Sequence, residues 1–296
     1  MMLTLLKILP RKQMSRLAGK IMHWRGPQWW ARLSIRTFAK MYNIRVFEAS
    51  ESMDSYKSIG EFFVRNLRDG ARTIGDAPIL HCADSVINSA GVIDCLNNKT
   101  QLIQAKGLHY SLEEFLCDPT ASERFLDGQF ATYYLCPTDY HRVHSPMTGT
   151  ITHVKWVPGD LWPVNNASVQ GVPNLFVRNE RVIVEIKTPA GVIAMVFVGA
   201  TNVGSIHIKA VPELRTNQEK WNGNGSKVQM DFAPQISVSK GDEVGHFSMG
   251  STIVMVWSKS AMELLNSETA FSDFKVSSLL GKAVQVRENI NKVRGW

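Results

Sequence analysis

The sequence lacks the features that mark several common classes of protein. Its apolar opening at 1–9 is too short to cross a membrane, contains Lys7 and ends at Pro10. That opening has no small-residue cleavage site, so we expect no signal peptide. The four cysteines form no Cys-x-x-Cys pair, which argues against a zinc ribbon or redox motif and favours buried free thiols. No internal repeat or low-complexity tract is present.

Acidic residues are absent from positions 1–46, which hold ten of the 33 basic residues. The rest of the chain carries 23 basic and 26 acidic residues and is close to neutral. A basic segment joined to a neutral body indicates an anionic partner, which is either nucleic acid or lipid.

The apolar residues of this segment favour lipid. They recur at helical spacing beside the basic residues, and they are Met14, Leu17, Ala18, Ile21, Met22, Trp29, Trp30, Leu33, Phe38 and Met41. Tryptophans on basic amphipathic helices are typical of helices that lie in a lipid interface. We therefore expect a peripheral protein on the cytoplasmic face of the cell membrane, with an anionic membrane surface and no nucleic acid as partner. Alternatively, these residues pack on the body, and both interpretations can hold for different helix faces.

From about residue 79 the sequence changes to short β-branched runs separated by glycine, proline and asparagine. The predicted strands are Thr150–Val157, Val182–Lys187, Val192–Val198, Gly204–Ala210 and Ser251–Trp257. The predicted helices of this body are Ser58–Leu67, Leu112–Cys117 and Ser260–Leu265. The pattern predicts an α+β fold, in which a helical segment at 1–46 precedes a β-rich body at 47–296.

Two glycine-anchored segments of the body resemble hairpins of biotinyl- or lipoyl-type barrel-sandwich hybrids. They are Ser145–Ile151 and Ser239–Gly245, and they predict a strongly bent sheet or a barrel. A carrier of that type displays a lysine where this chain has Ser251, which counts against a swinging-arm carrier.

Two histidines, His141 and His144, lie in the run His-Arg-Val-His between Pro137 and Pro146. Their spacing permits a metal site, but no His-Glu-x-x-His motif is present and no third ligand is identifiable. Structural histidines and acid–base catalysts are the other interpretations.

Asp84 and Ser251 are the other candidate residues. Asp84 lies between apolar residues, where it is either a turn residue or a buried carboxylate that orients a histidine. Ser251 follows Gly250 and precedes the apolar run Ile253–Trp257, so it belongs either to a plain turn or to a reactive site.

Several motifs, in one order, resemble those of the bacterial phosphatidylserine decarboxylase family over about residues 58–257. They are Phe62–Arg68 with Gly70–Arg72, Ala105–Leu112, Tyr140–His144, Val157–Leu161, Pro173–Arg181, Val198–Ser205 and Lys240–Thr252. The chain departs from the family pattern at Ser85, where glycine is usual, and at Met249, where leucine is usual. Serine enters a turn at positive φ less readily than glycine, so the backbone after Asp84 is expected to differ.

The resemblance implies self-cleavage between Gly250 and Ser251 into a β chain, 1–250, and an α chain, 251–296, which stay associated. Ser251 would become a covalent pyruvoyl cofactor that forms a Schiff base with phosphatidylserine and releases CO₂ and phosphatidylethanolamine, without a metal. The implied roles are base for His144, orienting carboxylate for Asp84 and proton donor for His141. A homodimer of cleaved protomers is also implied.

Three alternatives remain open from the sequence. The first is a lipid-binding barrel-sandwich module that is not processed. The second is a pyruvoyl enzyme that acts on a soluble amino acid, and the third is a zinc hydrolase built on His141 and His144.

Overall fold

The computed structural model describes residues 11–96, 99–105, 108–201, 205–214, 216–217, 230–248, 252–272 and 274–294. The helices are α1 (Arg11–Met22), α2 (Gln28–Met41), α3 (Ile59–Phe63), α4 (Leu112–Leu116), α5 (Ala121–Phe125), α6 (Asn166–Gly171), α7 (Leu175–Arg178) and α8 (Lys259–Ser267). Short 3₁₀ turns lie at Val46–Glu48, Thr269–Phe271 and Val276–Leu279. The strands are β1 (Ser85–Val92), β2 (Asp94–Leu96), β3 (Lys99–Ala105), β4 (Leu108–Ser111), β5 (Gln129–Tyr134), β6 (Arg142–His144), β7 (Gly149–Val157), β8 (Arg181–Thr188), β9 (Gly191–Val198), β10 (Ile206–Ile208), β11 (Met230–Phe232), β12 (Ile236–Val238), β13 (Glu243–Phe247), β14 (Thr252–Trp257) and β15 (Ala283–Val284).

One large antiparallel sheet forms the centre of the molecule. Its strand order is β11, β7, β8, β9, β14, β5, β1 and β15, and β12 also pairs with β7. Every residue of β14 is buried, as expected for an apolar strand with a neighbour on each side. Smaller sheets join β10, β13 and β6, and β2, β3 and β4. The α+β prediction is confirmed, and the sheets formed by the described residues remain open rather than closing into a barrel.

The two glycine-anchored segments pair with each other. The N–H of Ser145 donates to the carbonyl of Asp242 at 2.7 Å, and the N–H of Gly241 donates to the carbonyl of Ser145 at 2.8 Å. Gly241 has a φ of +87°, a conformation that side chains disfavour, so glycine is required at this close approach. The pairing holds β6 against β13 and places His144 opposite Glu243.

Helix α2 has two apolar faces. Ala31, Ile35 and Ala39 are buried in a small cluster with Tyr56 and Phe62. The outward apolar residues of the first two helices and of the turn between them are Met14, Leu17, Ile21, Trp24, Trp29, Trp30, Leu33 and Met41. Packing on the body therefore accounts for one face only, and a second apolar face is exposed.

Helix α3 is shorter than predicted. The predicted helix over Ser58–Leu67 ends at Phe63, because the following backbone pairs with an earlier segment instead. Ser50 donates its N–H to the carbonyl of Asn66 at 2.9 Å, and Arg68 donates to the carbonyl of Glu48 at the same distance. The residues after α3, including Arg65, consequently cross the body as extended or irregular chain.

None of the described helices combines the length and the apolar character needed to cross a membrane. The four cysteines are free thiols, as predicted. Only Cys82 is fully buried, whereas Cys95 is exposed, so the expectation of burial is wrong for that residue.

Candidate active site

Strand β6 brings the predicted histidines to the segment that carries Asp84. The N–H of His144 donates to the carbonyl of Cys82 at 2.8 Å, two residues before Asp84. On the other side, the N–H of Phe247 at the end of β13 donates to the carbonyl of His141 at 3.2 Å. Asp84, His141 and His144 are all buried. The fold thus collects three candidates, separated by up to 60 residues of sequence, around one short strand.

His144 is held as a neutral base. Its Nδ1 lies 2.8 Å from the carbonyl oxygen of Gly241, which can only accept, so Nδ1 carries the proton. The lone pair of Nε2 then faces the hydroxyl of Tyr140 at 3.3 Å. Burial lowers the pKa of His144 to about 4, although the hydrogen bond to Gly241 acts in the opposite direction. The imidazole is therefore neutral at neutral pH, with its proton on Nδ1, and it can accept a second proton at Nε2.

His141 has a similar arrangement but one unused nitrogen. Its Nδ1 donates to the carbonyl of Asp139 at 2.9 Å, and its ring packs on Phe63 with a centroid separation of 4.0 Å. Its Nε2 is buried and has no hydrogen-bond partner in the described part of the chain. Burial is the main cause that lowers the pKa of His141 to about 3. His141 is thus neutral in this state of the protein.

Asp84 forms ion pairs with arginines. Asp84 and His144 both lie in the described part of the chain, and no hydrogen bond joins them. Its Oδ2 lies 2.8 Å from Arg72 Nη2 and 2.5 Å from Arg294 Nη2, the latter without hydrogen-bond alignment. Its Oδ1 accepts the N–H of Val286 at 2.9 Å. Burial acts to raise the pKa of Asp84, but the two arginines and these hydrogen bonds outweigh it and lower the pKa.

The predicted hydrogen bond from Asp84 to the imidazole is therefore absent, and the carbonyl of Gly241 takes that position. Asp84 instead anchors an ionic cluster that also contains Glu48, whose Oε2 lies 3.0 Å from Arg72 Nη2. Arg72 belongs to the motif that includes Gly70–Arg72, but nothing in the sequence predicts that Glu48, Arg72 and Asp84 lie side by side.

A second carboxyl that the sequence did not single out is Asp139. Burial, together with the nearby charge of Asp84, raises the pKa of Asp139 to about 6. Its Oδ2 accepts the N–H of Cys136 at 2.9 Å, and its backbone carbonyl orients His141. Sequence could have indicated it only by its position in the same run as the histidines.

Ser85 accommodates the departure from glycine without strain. It is the first residue of β1, pairs with Val284 and is not among the residues with positive φ. The expected change of backbone conformation is therefore not needed at this position.

Met249, Gly250 and Ser251 lie outside the described residues. The described residues that flank them are Ser248 and Thr252, both buried. Ser248 donates its N–H to the carbonyl of Ser205 at 3.0 Å. Thr252 begins β14 and pairs with Tyr134 of β5 and Val198 of β9. The segment that contains the predicted cleavage site thus runs from a residue hydrogen-bonded just beyond β13 to the first residue of β14.

A cavity of about 570 Å³ opens beside the site. Tyr140 and His144 form part of its lining, together with the basic residues Arg68, Arg72, Lys209 and Arg287. Within the described ranges, including this site, no group of three or more His, Cys, Asp or Glu side chains is placed to hold a metal ion.

Comparison with known proteins gives consistent results. The family model for phosphatidylserine decarboxylase matches residues 59–282. The chain is 41% identical over 265 residues to the phosphatidylserine decarboxylase proenzyme of Vibrio parahaemolyticus, covering 86% of this chain and 89% of that protein. It is 39% identical over 269 residues to the proenzyme of Vibrio cholerae, with coverages of 88% and 90%. For the proenzyme of an Anaeromyxobacter species the identity is 38% over 255 residues, with coverages of 85% and 87%.

Proposed function

The chain belongs to the phosphatidylserine decarboxylase family, and from that premise we propose that it is a self-cleaving precursor of a pyruvoyl-dependent phosphatidylserine decarboxylase. The observation that carries the proposal is the buried imidazole of His144. Its tautomer is set by the carbonyl of Gly241, which leaves Nε2 to accept a proton. A serine hydroxyl is a weak nucleophile and needs such a base.

In the cleavage step, Ser251 Oγ attacks the carbonyl carbon of Gly250 while His144 Nε2 accepts the hydroxyl proton. The proton then passes from His144 to the amide nitrogen of residue 251, which leaves as an amine, so that the peptide bond becomes an ester. Removal of the α-proton of residue 251 then expels the carboxylate of Gly250 and opens the chain. Hydrolysis with loss of ammonia leaves a pyruvoyl group at the start of the smaller chain. The neutral base and the buried flanking residues Ser248 and Thr252 fit this chemistry.

The pyruvoyl group supplies the electron sink for loss of CO₂, and the surrounding residues supply the proton transfers. We assign the delivery of a proton to the substrate carbon to His141, whose Nε2 is the unused nitrogen. Asp84 acts as a positioning residue, because its segment accepts the backbone N–H of His144 through Cys82. Its ionic cluster also fixes Arg72, which lines the cavity beside the base.

The N-terminal helices are proposed to dock on an anionic membrane, where the lipid substrate resides. Trp30 contacts Trp24 and Trp29 edge-to-face, with ring centroids 6.4 and 5.9 Å apart, respectively. They are exposed beside basic residues, which suits insertion of rings at the level of the lipid headgroups. Some of the positive charge is already engaged by the body, since Arg25 pairs with Glu61 at 2.7 Å. The electrostatic contribution to docking should therefore be smaller than the count of basic residues suggests, and the contribution of apolar contact correspondingly more important.

The decisive experiment is intact mass measurement of the purified chain beside Ser251→Ala. Wild type should yield two polypeptides, 1–250 and 251–296, with the smaller one lacking a free amino terminus. Ser251→Ala should remain whole, whereas the control Ser248→Ala should still be cut. The cleaved protein should release CO₂ from phosphatidylserine vesicles, and Ser251→Ala should not.

A wild-type chain that stays whole would instead support the unprocessed lipid-binding module. Cleavage with no activity on phosphatidylserine, but release of CO₂ from a soluble amino acid, would overturn the proposed substrate.

A further inference from the structure

Arg65 is a buried arginine without a hydrogen-bonding partner. It lies just beyond α3 and is only 3% exposed. Its Nε and Nη1 are buried, and its guanidinium makes no hydrogen bond or ion pair with any residue that the structure describes. Its one directed contact is with the ring of Phe62, whose centroid lies 5.2 Å from the guanidinium carbon. A cation in this position is costly, because it is largely removed from water and the carboxylates of Asp84 and Glu48 attract it without forming an ion pair or a hydrogen bond.

The fold provides fully for a comparable arginine elsewhere. Arg181 is 2% exposed and lies 5.6 Å from the ring centroid of Phe115. Unlike Arg65, it donates hydrogen bonds to the backbone carbonyls of Phe115, Val177 and Glu114 at 2.6–2.9 Å. Buried polar groups in proteins are normally satisfied in this way. The donors of Arg65 are therefore an exception that calls for an anionic partner from outside the chain.

The surroundings of Arg65 connect it to the proposed proton donor. Two residues earlier, Phe63 packs on the ring of His141. One residue earlier, the carbonyl of Val64 accepts a hydrogen bond from Arg142 Nε at 2.9 Å. The positive charge of Arg65 contributes, after burial, to the lowered pKa of His141. Arg65 and the unpartnered Nε2 of His141 are thus both buried, and the charge of Arg65 lies near enough to act on the imidazole.

We propose that Arg65 binds the phosphodiester of the phospholipid substrate while the amino-acid part of the headgroup lies against His141. The inference rests on the proposed function and names the residue that recognises the headgroup. The planar guanidinium fork matches two phosphate oxygens, which a lysine cannot do equally well.

The phosphate suits Arg65 better than the reacting carboxylate does. A contact that stabilises the carboxylate would bind the ground state and oppose the loss of CO₂. The phosphate keeps its charge from substrate to product, so binding it costs nothing in the chemical step. A bound phosphate would also offset the charge of Arg65 and raise the pKa of His141, which favours the protonated imidazole that delivers the proton.

The test compares Arg65→Met, Arg65→Lys and the structural contrast Arg181→Met, with Lys259→Gln as a neutral control. Lys259 is exposed and pairs with the exposed Asp127, 3.4 Å away. Arg65→Met should be cleaved normally and have a Tm no lower than wild type, because it removes an unpaired charge. Arg181→Met should lower the Tm, because it leaves several buried carbonyls without donors.

Kinetics on the cleaved enzymes with phosphatidylserine in mixed micelles then separates binding from chemistry. Arg65→Met should raise KM roughly 10- to 100-fold, the range of a charge-assisted hydrogen bond, with a much smaller change in kcat. Arg65→Lys should restore part of the loss. Soluble glycerophosphoethanolamine should inhibit wild type and fail to inhibit Arg65→Met, whereas ethanolamine should inhibit neither strongly.

The outcomes distinguish this inference from the proposed function. An active wild type with an unchanged KM in Arg65→Met overturns the role of Arg65 and leaves the function intact. A fall in kcat at constant KM would also overturn it, since Arg65 would then act on the reacting group. A wild type that is never cleaved overturns the function itself. If Arg65→Met does not fold, an unaltered KM in Arg65→Lys rejects phosphate recognition.

Discussion

His141 and His144 are oriented by the same type of hydrogen bond, although we propose different roles for them. Each ring donates its Nδ1–H to a backbone carbonyl, at 2.9 Å for His141 and 2.8 Å for His144, which leaves Nε2 without a proton. Tyr140 covers the Nε2 of His144, whereas that of His141 has no partner in the described ranges. The Nε2 of His144 is thus paired within the folded chain, whereas the Nε2 of His141 is available to a group from outside the chain.

Alanine substitutions should separate the two roles. His144→Ala should abolish cleavage, because it removes the proposed acceptor of the Ser251 hydroxyl proton. His141→Ala should still be cut but should decarboxylate phosphatidylserine at least about 100-fold more slowly, as expected for loss of a proton donor. Gel electrophoresis reports the first property and CO₂ release the second. An uncut His141→Ala chain would contradict the division of labour.

The candidate residues could be read from the sequence, but their contacts could not. The resemblance named Asp84, and the structure shows that its partners include Arg294, 210 positions away. Pairing across such a distance depends on β15 lying beside β1, as Ser85 opposite Val284 shows. Short motifs carry no information about that arrangement, so they do not reveal that the carbonyl of Gly241, rather than Asp84, accepts the hydrogen bond from His144 Nδ1.

Helix α2 joins the outer surface of the molecule to the site. Its inner residues Ala31, Ile35 and Ala39 pack with Phe62, the residue that supports Arg65. Deleting the N-terminal segment would therefore disturb the interior as well as the membrane surface. Substitution of outward-facing residues is the cleaner test of docking.

Replacing Trp29 and Leu33 together by alanine should weaken sedimentation with anionic liposomes by roughly tenfold or more, because large apolar groups leave the lipid interface. The single variant Leu33→Ala, which should weaken sedimentation less than the double variant, has Leu280→Ala as its matched control. Both leucines are 55% exposed, but Leu280 lies outside α2. Self-cleavage in detergent should be unaffected in each variant. Equal sedimentation of all variants would exclude this surface as the docking site.

The sequence predicts strands β7 and β8 more accurately than helix α3. The apolar β-branched runs at 150–157 and 182–187 match β7 and β8 to within one residue at each end, because local pattern and burial agree there. The segment at 58–67 has helical periodicity, yet backbone pairing of Asn66 with Ser50 overrides it. Tertiary hydrogen bonds of that kind are invisible to periodicity.

At the scale of the whole molecule, buried histidines make stability depend on pH. Burial lowers the pKa of His81, His141 and His144 to about 4, 3 and 4, from an ordinary value of 6.5. Below pH 6.5 the unfolded chain therefore binds protons that the folded chain refuses, and stability falls as the pH falls. Asp139 and Glu180 act in the opposite direction, because burial raises the pKa of both.

The net difference of roughly two protons corresponds to about 2–3 kcal/mol of stability per pH unit between pH 6 and 5. Thermal unfolding of the uncut Ser251→Ala chain, measured from pH 7.5 to 5, should show a Tm that drops steeply below pH 6.5. His81→Gln should make that dependence shallower by about one proton. A Tm that is constant over this range would rule out the neutral, buried state of the histidines.

Strand β14 lies inside the main sheet, with six residues paired to β5 and the same six paired to β9. A cut one residue before Thr252 would leave a new chain end in the middle of the sheet. Unfolding of the cut molecule would release two separate polypeptides, and their return would be a second-order reaction. If the proposed cleavage occurs, folding has to precede it, and the lifetime of the cut molecule would be set by its rate of unfolding rather than by an equilibrium.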